Sequence, residues 1–65
     1  MQLTKEQVQE RIRTLNEWLE AHKDDDLYKS VQAEWIYYME RLENGDYPEE
    51  ECFTQWYSMI KSGTI

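Results

Sequence analysis

The side chains that could do covalent or metal chemistry are few. There is one histidine, His22, and one cysteine, Cys52, far apart in a chain of 65 residues. A cysteine nucleophile with a histidine base needs an orienting third group, an oxyanion site and an enclosed pocket, for which so short a chain leaves little scaffold. The chain is therefore read as not an enzyme, with no catalytic residue assigned. A zinc site needs four N or S ligands at close spacings, and His22 with Cys52 does not approach that. Asp24-Asp25-Asp26 lacks the glycine and the terminal glutamate of a calcium loop, and the stretch from Asn44 to Glu51 fails the same pattern. The glycines are Gly45 and Gly63, so no glycine-rich phosphate loop exists. No metal and no cofactor are expected, and His22 is read as a helix C-cap or a packed edge residue.

Charge and aromatic content carry more information. Seven basic residues against fourteen acidic ones give a net charge of -7, and aromatics make up 14% of the chain. The acidity is uneven. Residues 1–23 are balanced, whereas residues 24–51 hold ten carboxylates against Lys29 and Arg41. Direct nucleic-acid binding needs the opposite sign of charge to neutralise phosphates, so DNA and RNA are excluded as direct ligands. With one cysteine no intrachain disulfide can form. No apolar run approaches the roughly 20 residues of a membrane span, and no signal-peptide pattern opens the chain, so the expected location is cytoplasmic and no membrane partner is expected.

Three helical segments are expected to position these side chains, in one all-α domain spanning residues 1–65. Thr4 with Gln7 fits a capping box, Leu3 and Val8 fit the hydrophobic staple, and Val8, Ile12, Leu15 and Leu19 make a narrow apolar stripe. Helix 1 is placed at about residues 4–22. The three aspartates then favour a helix N-terminus, and helix 2 is placed at about 26–44 with Leu27, Val31, Trp35, Tyr38 and Leu42 facing inward. Gly45 fits the left-handed position after its end. Asp46 with Glu49, and Pro48 in the first turn, place helix 3 at about 48–61, with Phe53, Trp56, Tyr57 and Ile60 on one face. Residues 62–65 are expected to fray. Short connections make helices 1 and 2 an antiparallel hairpin, with helix 3 folding across it or joining a partner chain.

The apolar arcs of helices 2 and 3 exceed what the narrow stripe of helix 1 can cover. Trp18, Ile36, Tyr37, Met39, Tyr47 and Met59 are then left near the surface. Of the whole apolar set, Trp18, Tyr37, Tyr47, Trp56 and Met59 are taken as candidate anchors for a partner. The candidate acidic contacts are Asp24, Asp25, Asp26, Glu34, Glu40, Glu43, Asp46, Glu49, Glu50 and Glu51. Together they describe a small acidic protein-binding module that modulates or inhibits a partner with a basic surface, for instance a nucleic-acid-binding protein. Spaced carboxylates could do this by imitating a phosphate backbone. The alternative is a homodimer or higher oligomer whose aromatic helix faces bury one another. Tiny, acidic, aromatic-rich and cysteine-poor, the chain is similar in general look to small accessory proteins encoded by phages and mobile elements, a resemblance of composition without a motif.

Overall fold

The computed structural model describes residues 1–50 and 55–65. Within them the chain forms three helices, α1 (Lys5–Ala21), α2 (Tyr28–Asn44) and α3 (Gln55–Ser62), and no strand. The start of α1 follows its sequence signals. Thr4 is extended, its hydroxyl accepts the Gln7 N–H at 3.2 Å, and the Gln7 side chain accepts the Thr4 N–H at 2.8 Å. Leu3 and Val8 on either side of the cap are buried.

α1 and α2 pack along their length as an antiparallel hairpin. Lys23 and Tyr28 flank one end, Arg11 meets Tyr38 at mid-length, and Gln2 meets Tyr47 beyond the other end. Leu3, Val8, Leu15, Trp18 and Leu19 close against Val31 and Tyr38 to make the core, with Ile12, Leu27, Trp35 and Leu42 partly buried around it. α3 lies chiefly against α1, where Trp56, Tyr57 and Ile60 extend the same core.

Three boundaries differ from expectation. α2 begins at Tyr28, two residues later than placed, and its N-cap Leu27 makes no side-chain cap. The aspartates shape the turn instead: the Asp25 carboxylate accepts the Leu27 N–H at 2.8 Å, and the Tyr28 N–H donates to the Asp25 carbonyl. At the other end of α2, Gly45 is left-handed at φ 69° as expected, and the Asp46 N–H reaches back to the Arg41 carbonyl at 3.1 Å.

Residues 48–50 do not open helix 3. Gln2 and Glu49 form an isolated antiparallel bridge, in which Leu3 N–H donates to the Pro48 carbonyl at 2.9 Å and Glu50 N–H to the Met1 carbonyl at 3.0 Å. The physical reason is that the segment ahead of α1 has backbone groups with no helical partner, and Leu3 needs a cover. Pro48 is buried beside them. The last residues, where the sequence suggests fraying, turn back onto α3. Gly63 adopts φ 78°, Thr64 N–H donates to the Met59 carbonyl at 2.9 Å, and Ile65 packs on the core. The expected inward position of Phe53 lies outside the described residues.

Candidate protein-binding surface

The acidic residues fall into three groups. Asp24, Asp25 and Asp26 are exposed in the turn between α1 and α2. Glu40 and Glu43 are exposed on the outer side of α2, and Asp46, Glu49 and Glu50 are exposed past its end. That last group is partly neutralised. Asp46 pairs with Arg41 at 3.3 Å, and Glu49 with the N-terminal ammonium at 3.2 Å. Among the described residues no cation pairs with Asp24, Asp25, Asp26, Glu40, Glu43 or Glu50. Glu51 lies outside the described residues, as does Cys52.

Glu34 corrects the sequence reading, which set it on the acidic surface. It is fully buried, and its two carboxylate oxygens accept the backbone N–H groups of Trp56 at 3.0 Å and Tyr57 at 2.8 Å. A carboxylate from α2 thus caps the first turn of α3, where the free N–H groups and the helix dipole favour negative charge. Burial pushes the Glu34 carboxyl above its ordinary value, against the pull of those two N–H donors and of Arg11. The Arg11 guanidinium lies over the Tyr57 ring at 4.7 Å and donates to the Tyr38 hydroxyl at 3.0 Å, tying all three helices together.

Trp18 is the second correction. Placed near the surface from its sequence position, it is only 6% exposed. α1 has two neighbours rather than one, so the arc it buries is wider than the stripe of Val8, Ile12, Leu15 and Leu19. Trp18 lies seven residues after Arg11, on the side of α1 that Arg11 turns toward α3. The His22 ring stacks on it at 4.2 Å, and His22 Nδ1 lies 2.8 Å from the Trp18 carbonyl oxygen. His22 is the C-cap of α1, as read from its position.

The other anchors are half-buried. Tyr37 meets Tyr38 edge-on at 5.3 Å, and Arg41 lies over the Tyr37 ring at 5.4 Å. Tyr47 and Trp56 pack against the core, and Met59 is half-buried on α3. Among the described residues, and apart from Met1, the exposed large apolar side chains are Ile36 and Met39, at 43% and 40%. Both stand on the outer side of α2 beside Glu40 and Glu43. Their surface position agrees with the sequence expectation, although neither stands among the expected anchors.

Beside this face, a groove of about 240 Å³ runs between α1 and α2, walled by Leu19, Tyr28 and Trp35 and lined by Asn16, Gln32, Glu20 and Lys23. Among the described residues, no group of three His, Cys, Asp or Glu side chains could hold a metal ion, and no helix is long and apolar enough to cross a membrane. Comparison with protein-family models, curated proteins and solved structures finds no match to the chain.

Proposed function

We propose that the protein is a small non-catalytic binding module that docks on a protein with a basic surface and so modulates it. The observation that carries this reading is the set of exposed carboxylates left without a cation at the Asp24–Asp26 turn and at Glu40, Glu43 and Glu50. Carboxylates so placed attract a basic surface over a distance of about a Debye length, roughly 10 Å at moderate salt, and speed encounter with it.

Docking on a basic protein is favoured over imitation of a phosphate backbone. With Glu34 turned inward, the outer side of α2 between Asp26 and Glu40 carries Lys29, Ser30, Ala33 and Ile36 but no carboxylate. At 1.5 Å per residue that leaves an uncharged or cationic interval of about 20 Å, where a nucleic-acid mimic needs a continuous row.

The test is capture of partners by the immobilised chain, run beside a variant carrying D24N, D25N, D26N, E49Q, E50Q and E51Q whose folding has been checked by circular dichroism. The expected outcome is a partner of high isoelectric point that the variant retains poorly and that the wild type releases as salt rises. Equal retention of the same partners by both proteins would remove the electrostatic basis of the proposal.

A further inference from the structure

The outer face of α2 has a charge order that is complementary to itself. Lys29, Ile36 and Glu43 are spaced by seven residues, so they lie in one line along the helix, and all three are exposed. Ala33 and Met39 flank Ile36 on one pair of positions, Gln32 and Glu40 on the other. The centre of the strip is apolar, its N-terminal end is cationic and its C-terminal end is anionic.

We propose that the chain associates with a second copy of itself through this face, the two α2 helices antiparallel about a two-fold axis at Ile36. In that register Ile36 meets Ile36, and Met39 of one copy lies level with the small Ala33 of the other. Gln32 can donate to Glu40, and Lys29 of each copy meets Glu43 of the other, twice by symmetry. A parallel two-fold pairing sets Lys29 against Lys29 and Glu43 against Glu43, so the charge order selects the antiparallel one. A uniformly basic partner is a poorer occupant of this strip because Lys29 repels it, whereas a second copy sets Glu43 against that lysine.

The 17-residue helix is about 25 Å long. A strip of that length and one helix width covers less than the roughly 800 Å² per partner of a stable complex, so the dimer is expected to be weak. The Asp24–Asp26 turn of one copy also approaches residues 46–50 of the other, and this repulsion argues for measurement at moderate salt.

Sedimentation equilibrium from about 10 μM to about 1 mM, at roughly 0.15 M salt, reads the association directly. The wild type is expected to pass from monomer to dimer and no further. I36E, a change at an exposed position, should weaken association at least about tenfold, and K29E and E43K should each weaken it alone. An equimolar mixture of K29E and E43K should restore it, because the mixed pair joins opposite charges at both contacts where each variant alone joins like charges. A monomer across the whole range, a dimer indifferent to I36E, or a mixture no tighter than its components would each overturn the proposal. Partner capture is read separately, through Asp24–Asp26 and Glu49–Glu51, so failure of one reading leaves the other standing.

Discussion

At the scale of single residues, Glu34 carries the largest consequence. A buried carboxylate is costly unless hydrogen-bonded, and here two backbone N–H groups meet it. Replacement by glutamine keeps the shape but leaves one acceptor where there were two, turning an amide toward the second N–H. E34Q is expected to destabilise the fold by about 1–2 kcal/mol in chemical denaturation at neutral pH. Because burial holds the carboxyl above the usual 4.5, the folded state binds its proton more readily than the unfolded state. The stability contributed by this group therefore rises as pH falls through the folded value, and levels off below 4.5. Glutamine does not titrate, so the gap between wild type and E34Q should widen from pH 7 toward that level, and a gap constant with pH would contradict the assignment. Residue type alone does not separate Glu34 from Glu40 or Glu43. Its position, three residues after Val31 and four before Tyr38, sets it on the inward side, but the donors it serves lie 22 and 23 residues away. Trp18 was hidden for a related reason, since a stripe counted for one neighbour misses the side of α1 turned toward the second.

Whole elements were legible where their signals are local. The capping box of α1 and the left-handed Gly45 are contained in four or five residues each, and both stand as read. Thr4→Ala removes the hydroxyl that accepts the Gln7 N–H, and a loss of about 1 kcal/mol is expected in thermal or urea unfolding. The entry to helix 3 was misplaced because Pro48 fits two roles equally well. It suits the first turn of a helix, and it suits an extended segment whose carbonyl alone is needed. The choice between them is made by the N-terminus, 45 residues or more away, through Leu3 and Met1. Leu3 is 3% exposed between this segment and the core. Leu3→Ala is thus expected to cost about 2–4 kcal/mol. Hydrogen exchange should locate the loosening in the amides of Leu3 and Glu50, ahead of those in the middle of α1.

For the molecule as a whole, the same carboxylates must be reconciled with folding and with docking. The net charge of -7 sits on a body of about 32 × 21 × 15 Å, and self-repulsion at that density opposes the compact state. Asp24, Asp26 and Glu50 are exposed and meet no cation among the described residues, and none of their side chains makes a hydrogen bond there. Asp25 differs, because its carboxylate holds the Leu27 N–H. Neutralising the first three should therefore cost the fold nothing. The variant D24N/D26N/E50Q is expected to unfold within about 0.5 kcal/mol of wild type, or slightly above it. The comparison belongs at equal protein concentration, since self-association would otherwise enter the melting temperature. Any gain should appear at about 20 mM salt and vanish near 500 mM, where the Debye length falls to roughly 4 Å and repulsion between exposed groups is screened. Thermal melts at the two salts decide the matter. A clear loss of stability would mean that these side chains hold the turn and the segment at residues 48–50 in place. Their exposure could then no longer be set apart for a partner. Unchanged or improved stability, with partner retention reduced, would place their role outside the fold.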